Sequence, residues 1–265
     1  MTFVPAVNGS AVSAEPFHLK RLSDVKAEPI RWLSPGRVPY GALTIIAGRP
    51  GEGKSQLTLN LAARVSHEAG ALLIGNEDGA ADVIVPRLNA HRANLDNVRI
   101  VDEEDPVFPS DAERLEYAIR EADASLVVID PFNAHLDPEL SGFNDQMVRQ
   151  ASRPLAAVAR RSGAAIVIVS HLRKSREGGP LDWIGGSGLQ GAARSVLLFG
   201  KVKGGDPWDD DQRWLFHAKC NGAKLAPPLR CRVETRWVDA GERKIETSWV
   251  TADEEDHRKH PEDLA

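Results

Sequence analysis

Short apolar runs alternate with longer amphipathic stretches through the middle of the chain. Apolar runs of four or five residues are typical of buried strands, and the stretches between them have the spacing of helices that cover a sheet. This alternation predicts an α/β fold with a mainly parallel twisted sheet flanked by helices. The predicted strands are 43–47, 71–75, 98–101, 126–129, 165–169 and 196–199, and the predicted helices are 54–69, 80–90, 111–121 and 144–161.

The pattern changes after residue 203. Strand-like runs at 214–218, 229–237 and 244–250 are separated by Asn221-Gly222 and Ala240-Gly241, which are turn sequences, so antiparallel C-terminal strands are expected. Pro154 lies inside the last predicted helix and is expected to kink or divide it, because proline removes a backbone donor. We expect an irregular lead-in over 1–41, one domain over 42–250, and a charged disordered tail over 251–265.

A phosphate-binding loop is the strongest motif in the chain. It follows the first predicted strand directly and opens the first predicted helix, which is the context that a P-loop requires. Glycines let successive N–H groups face phosphates, Lys54 neutralises phosphate charge, and the Ser55 hydroxyl is a ligand for Mg²⁺. The predicted ATP-binding residues are Gly48, Arg49, Pro50, Gly51, Glu52, Gly53, Lys54, Ser55 and Gln56.

Acidic residues follow two other predicted strands. Asp130 ends the apolar run 126–129, where an α/β sheet places its ligands, and is the expected second protein ligand of Mg²⁺. Pro131 follows it, so a carboxylate that activates water must come from elsewhere in the sequence. Glu77, just beyond the strand 71–75, is the candidate, with Asp78 as its competitor and a solvated acidic loop as the alternative.

The order of these motifs resembles the RecA-like ATPases, and most closely the RepA-type hexameric replicative helicases. The resemblance rests on the P-loop, on residues 76–78 and 126–131, and on the segments 166–174, 186–195 and 219–221. It implies Mg-ATP hydrolysis with Glu77 as the catalytic glutamate, and a ring of identical subunits, with six expected. It also implies that His171 is a polar sensor of the γ-phosphate, and that Arg194 or Lys219 acts on the ATP of a neighbouring subunit.

The resemblance also implies a partner, single-stranded DNA. The loop after the strand 165–169 carries the expected backbone contacts Arg173, Lys174 and Arg176, and His135 and Phe143 are weaker candidates. Residues 171–203 contain six basic and two acidic residues, which suits salt-sensitive binding in a central channel. No segment resembles a base-reading motif, so we expect binding without sequence specificity.

Composition narrows the functional classes. The net charge of −5 in 265 residues argues against binding nucleic acid over the whole surface. Most of that excess lies in residues 252–265, which hold six acidic and two basic residues, and so leaves a basic channel free to bind DNA. Two cysteines and no long apolar segment predict a cytoplasmic protein without a membrane anchor.

The sequence therefore predicts an ATP-dependent DNA motor that translocates on single-stranded DNA in replication. Loading or priming is expected to need a separate protein, because no helical collar or primase segment is recognisable in the chain. The alternative is a RecA-like ATPase that acts as a recombination mediator or regulator without unwinding DNA. A nucleotide or sugar kinase is a weaker reading, because it leaves the sensor strand unexplained.

Overall fold

Eleven strands and five α-helices make up the part of the chain that the computed structural model describes, namely residues 18–75, 77–102, 104–138, 145–173, 178–184, 187–204, 210–255 and 260–264. The strands are β1 (Trp32–Ser34), β2 (Val38–Pro39), β3 (Leu43–Gly48), β4 (Gly70–Ile74), β5 (Val98–Ile100), β6 (Ala124–Ile129), β7 (Ala165–His171), β8 (Ser195–Gly200), β9 (Gln212–Cys220), β10 (Leu229–Ala240) and β11 (Arg243–Glu255). The helices are α1 (Lys54–Val65), α2 (Val85–Ala90), α3 (Ala112–Glu121), α4 (Asp145–Ser162) and α5 (Ser187–Ala192), and a π-helical stretch, Ala80–Ile84, precedes α2.

A nine-stranded sheet forms the centre of the fold, with the strand order β11-β10-β9-β8-β3-β7-β6-β4-β5. The six strands from β8 to β5 are parallel, whereas β9, β10 and β11 are antiparallel. Every residue of β3, β4 and β8 is buried, because helices or loops cover both faces of these strands. The predicted fold class is confirmed.

Two apolar cores lie on opposite faces of the sheet, and neighbouring residues of one strand enter different cores. Ile45 packs in the core beneath α3 and α4, whereas Ile46 packs in the core beneath α1 and α2. This division places α1, which begins in the P-loop, on the same face as α2.

A long C-terminal hairpin extends the sheet beyond its parallel part. Only residues 229–232 of β10 pair with β9, while the rest of β10 pairs with β11 alone. The hairpin therefore projects past β9 and packs on α1 and α2: the Arg236 guanidinium donates to Ala90 O at 3.0 Å and lies 4.5 Å from the Trp249 ring centre. Both strands are longer than the sequence pattern predicted.

Pro154 does not divide the fourth helix, which runs without interruption from Asp145 to Ser162. Ala151 and Leu155, on either side of the proline, are both fully buried against the sheet. Packing of this apolar face offsets the backbone hydrogen bond that the proline removes. The expectation of two helices was wrong.

The predicted disordered tail was also wrong for its described residues. β11 continues to Glu255, and Leu264 is 1% exposed in the core beneath α3 and α4. Lys203 N donates to Asp263 O at 2.8 Å and holds this end against the loop after β8. One apolar side chain anchors a segment whose charge alone predicted disorder.

The predicted lead-in contains a small antiparallel sheet of β1 and β2, in which Val38 is buried. α5, a short helix rich in small residues, was not predicted. Among the described residues, no helix is long and apolar enough to cross a membrane.

Candidate active site

The carboxyl ends of four adjacent parallel strands bring the predicted site residues to one edge of the sheet. Ile129 is opposite both Ile168 and Ile74, and Gly48 is opposite His171, so the loops after β3, β7, β6 and β4 open side by side. This edge is where α/β sheets bind ligands. The sequence motifs converge because parallel strands place all their carboxyl ends together.

The P-loop joins β3 to α1 through two glycines with positive φ. Gly51 has φ +76° and Gly53 has φ +92°, and a side chain at Gly53 would meet Val233 Cγ2 at 3.0 Å. Only glycine adopts this backbone conformation without strain. The loop is therefore shaped by its own glycines and pressed from outside by the C-terminal hairpin.

Lys54 lies at the start of α1, with its side chain turned back into the loop. Its Nζ donates to Arg49 O at 2.8 Å, and the residue is 5% exposed. Burial lowers the pKa of Lys54, while Asp130, Glu52 and Glu77 act in the opposite direction. Three carboxylates thus surround one ammonium group, which suits a cation held in place for phosphate.

Ser55 and Asp130 provide oxygen ligands for a magnesium ion. The Ser55 side chain hydrogen-bonds the Asp130 carboxylate, and burial raises the pKa of Asp130 to about 6 despite that bond and despite Lys54. A hydroxyl and a carboxylate beside a phosphate loop fit Mg²⁺, which takes few protein ligands and completes its shell with phosphate and water. When bound, the ion neutralises charge on the transferring phosphate.

The loop after β4 places two carboxylates near Asp130, and they differ in their partners. The Asp78 carboxylate accepts a hydrogen bond from Arg87 Nη1 at 2.6 Å, whereas Glu77 is exposed and forms no ion pair with a described residue. Both carboxylates raise the pKa of Asp130, which indicates that both lie close to it. Of the two candidates, only Glu77 has a carboxylate free to contact water.

His171 ends β7 beside Gly48 of the P-loop. Burial and the neighbouring Lys54 lower the pKa of His171, while Glu77 and the Gly48 carbonyl raise it. Its Nδ1 is buried with no hydrogen-bond partner among the described residues. A neutral imidazole with a free ring nitrogen next to Lys54 has the position expected of the predicted sensor.

Glu52, predicted as a nucleotide contact, has its side chain in a buried ion pair. Arg213 Nε of β9 lies 3.0 Å from Glu52 Oε2, and the two side chains are 8% and 15% exposed. Lys201 N also donates to Glu52 Oε2 at 3.2 Å. Sequence reasoning missed Arg213, since nothing in a local pattern links it to a loop about 160 residues earlier.

Gln56 was also predicted at the nucleotide, but its side chain points away from the loop. The amide contacts Ser248 of β11 and Arg87 of α2. The Arg87 Nε can only donate, so the Gln56 oxygen faces it at 2.6 Å and the amide nitrogen donates to Ser248 O at 3.0 Å. The Gln56 side chain therefore bridges three elements behind the site.

Arg194 and Lys219 lie at the opposite edge of the sheet from the P-loop of the same chain. Arg194 N donates to Leu43 O at 2.8 Å, which places it at the beginning of β3, about 17 Å from Gly48 at 3.3 Å per residue. Lys219 Nζ donates to Ala193 O at 3.0 Å and to Gln190 O at 2.5 Å. Arg194 is exposed, whereas Lys219 caps the end of α5.

The predicted DNA-binding loop is described only in part. Arg173 is exposed, and its N–H donates to Trp183 O at 2.7 Å across the base of the loop. Lys174 and Arg176 lie outside the described residues, as does Phe143. His135 is 1% exposed, with Nδ1 3.0 Å from Pro106 O, so the prediction of a DNA contact there was wrong.

Comparisons with known proteins place this arrangement. A family model described as an AAA domain, AAA_25, matches residues 13–177, more than half of the chain. The solved ATPase domain of another protein superposes with a TM-score of 0.56 at 16% identity, covering 71% of this chain and 80% of that one. At this identity the likeness concerns the fold.

The curated relatives include DNA repair protein RadA from several bacteria. The protein from Halalkalibacterium halodurans is 30% identical over 159 residues, and that from Escherichia coli is 29% identical over 183 residues. These alignments cover 58% and 63% of this chain but only 33% and 38% of the relatives. The matched region thus spans little more than a third of the length of these relatives.

Proposed function

The chain belongs to the AAA_25 family of AAA-domain proteins, and from this premise we propose that it is a RepA-like ring helicase. It is a P-loop ATPase with a RecA-like fold, as the sequence predicted. In the proposed activity, ATP hydrolysis drives translocation on single-stranded DNA in replication. The proposed motor begins near residue 42 and includes the C-terminal hairpin.

One observation carries the proposal: the groups needed for ATP hydrolysis meet at one sheet edge. Lys54 holds phosphate, and Ser55 and Asp130 hold Mg²⁺. Glu77, whose carboxylate is exposed beside Asp130, orients and deprotonates the attacking water. His171, adjacent to Lys54, contacts the γ-phosphate and reports its loss to the loop that begins at Arg173.

The opposite sheet edge supports action between subunits. Arg194 lies about 17 Å from the P-loop of its own chain along β3, too far for an arginine side chain to reach the phosphates. It is exposed, so a neighbour's nucleotide is accessible to it. We propose Arg194 as the cation that stabilises transferring phosphate in trans, within a ring of six subunits. Lys219 would have to leave the end of α5 to do the same.

Single-stranded DNA is the proposed track, bound without sequence specificity by Arg173, Lys174 and Arg176. These cations follow the strand that ends in His171, so a change at the γ-phosphate has a short covalent path to the DNA contact. Backbone contacts of this kind bind any sequence and weaken as salt rises. The printed function of the RadA relatives, DNA repair, supports a DNA partner.

The deciding experiment measures ATPase activity with and without single-stranded DNA, sedimentation with ATP, and unwinding of a forked duplex. A helicase forms a ring and separates the strands. Glu77→Gln is expected to bind ATP without turnover, and Lys54→Ala to lose both, while Arg64→Ala, an exposed arginine of α1, serves as control. Normal turnover in Glu77→Gln would overturn the assignment of the water-activating residue.

A second candidate is a non-unwinding ATPase that acts as a recombination mediator or regulator. The identity of 28–30% to DNA repair protein RadA favours it. Such a protein shows DNA-stimulated ATPase activity and binds DNA, yet leaves the forked duplex intact. Transfer of phosphate to a small acceptor, without stimulation by DNA, would exclude both candidates.

A further inference from the structure

An ion pair lies directly behind the proposed water-activating residue. Arg87 Nη1 donates to Asp78 Oδ2 at 2.6 Å, and Asp78 is the residue after Glu77 in the chain. Arg87 belongs to α2, whose neighbours Pro86 and Leu88 are buried. The short loop that carries Glu77 is thus attached to a helix held in the core.

The same guanidinium is held from its other side by the P-loop helix. Arg87 Nε donates to the Gln56 side-chain oxygen at 2.6 Å, and the Gln56 nitrogen donates to Ser248 O at 3.0 Å. Gln56 is 3% exposed and follows Ser55 directly. A continuous set of hydrogen bonds therefore connects the residue after the magnesium ligand to the residue after Glu77.

We propose that Arg87 is a positioning residue for ATP hydrolysis, holding the Glu77 loop at a set distance from Ser55 through Asp78 and Gln56. This rests on the proposed ATPase function. Glu77 has no ion pair of its own among the described residues, so its carboxylate depends on the anchoring of the next residue. A fork of five fixed donors suits this role, because two directions are held by one rigid plane.

The contacts separate positioning from stability. The Arg87 and Asp78 side chains are 22% and 37% exposed, and pairs this close to solvent contribute little to the stability of a fold. A displacement of about 1 Å at a catalytic group costs about 100-fold in rate. Loss of Arg87 should therefore slow hydrolysis far more than it lowers the melting temperature.

The test compares Arg87→Ala, Arg87→Lys and Asp78→Asn in the full chain, with Arg64→Ala as the matched control. Readouts are kcat and KM for ATP, the affinity for a fluorescent ATP analogue, and the melting temperature. We expect kcat to fall about 10- to 100-fold in Arg87→Ala, with affinity within about twofold of the parent. Arg87→Lys should recover part of the rate, because lysine can pair with Asp78 without also holding Gln56.

A double-mutant cycle completes the test. Arg87→Ala combined with Asp78→Asn should be no slower than the slower single variant, because both remove one interaction. In a Glu77→Gln background, Arg87→Ala should change nothing further. If Arg87→Ala does not fold, Asp78→Asn and Arg87→Lys carry the same comparison.

The outcomes distinguish this proposal from the assignment of Glu77. Full kcat in Arg87→Ala or in Asp78→Asn, together with loss of turnover in Glu77→Gln, would overturn the positioning role and leave the ATPase mechanism intact. Normal turnover in Glu77→Gln with a large loss in Asp78→Asn would instead identify Asp78 as the reacting carboxylate. Equal losses of kcat, affinity and melting temperature in Arg87→Ala would assign Arg87 a structural role only.

Discussion

The stability of this protein should fall as the pH drops from 6.5 towards 4, and His217 of β9 is a main reason. Its imidazole is buried, with Nδ1 accepting a hydrogen bond from Ala226 N at 3.0 Å and Nε2 3.0 Å from Ser195 Oγ. The Ser195 hydroxyl donates in turn to Arg37 O at 2.5 Å. A proton added to Nδ1 would face the Ala226 N–H, so this site is built for the neutral ring.

Burial, reinforced by the charge of Arg37, lowers the pKa of His217 from 6.5 to about 4, although the Lys219 backbone acts in the opposite direction. Since the folded pKa is below the unfolded one, this group stabilises the fold fully above pH 6.5, and the contribution is lost as pH falls to 4. The difference amounts to about 2 kcal/mol of unfolding free energy at about pH 5 and about 3.4 kcal/mol below about pH 4.

Urea unfolding followed by circular dichroism at about pH 7.5 and about pH 5 measures this directly. Between the two conditions, the parent should lose about 2 kcal/mol more than His217→Gln, which has no titrating ring. Burial also lowers the pKa of His91 to about 4, but His91 is present in both proteins and cancels in the comparison. His67→Gln, at an exposed position, is the control. Equal losses in parent and His217→Gln would refute the reasoning.

Three other predictions concern the P-loop and the DNA loop. Arg213→Ala leaves the Glu52 carboxylate buried without its cation and should cost about 3 kcal/mol in urea unfolding and weaken ATP binding; unchanged values would show that the ion pair does not hold the loop. Gly48→Ala places a methyl group 2.1 Å from Phe199 O and should cost at least about 2 kcal/mol, whereas Gly191→Ala, with open space around it, should be neutral. Replacing the three loop cations by alanine should lower the slope of log affinity for single-stranded DNA against log salt by about 2, with basal ATPase activity retained, and an unchanged slope would refute the loop assignment; the residues are Arg173, Lys174 and Arg176.

Several features could be read from the sequence because they depend on local backbone geometry. The P-loop needs glycines at fixed positions between a strand and a helix, and its glycines have positive φ as that geometry requires. Asp130 and Glu77 were placed near each other for a comparable reason, since parallel strands put their carboxyl ends at one edge.

Local reasoning failed where packing opposed local preference. Pro154 did not divide α4, because the buried face on both sides of it outweighs one lost hydrogen bond. The acidic C-terminal segment was predicted as disordered, yet Leu264 enters the core. In both cases a few buried apolar contacts outweighed a signal that composition alone had suggested.

The sequence by itself determined the parallel α/β sheet, the phosphate loop, the magnesium ligands and the candidate carboxylate, because each follows from periodicity or from a short motif. Only the tertiary structure decided how these are held. The pairing of Arg213 with Glu52 and of Arg87 with Asp78 and Gln56 depends on how the long hairpin and α2 pack around α1. Side chains far apart in the chain meet through the packing of whole elements, and no local pattern encodes which ones will do so.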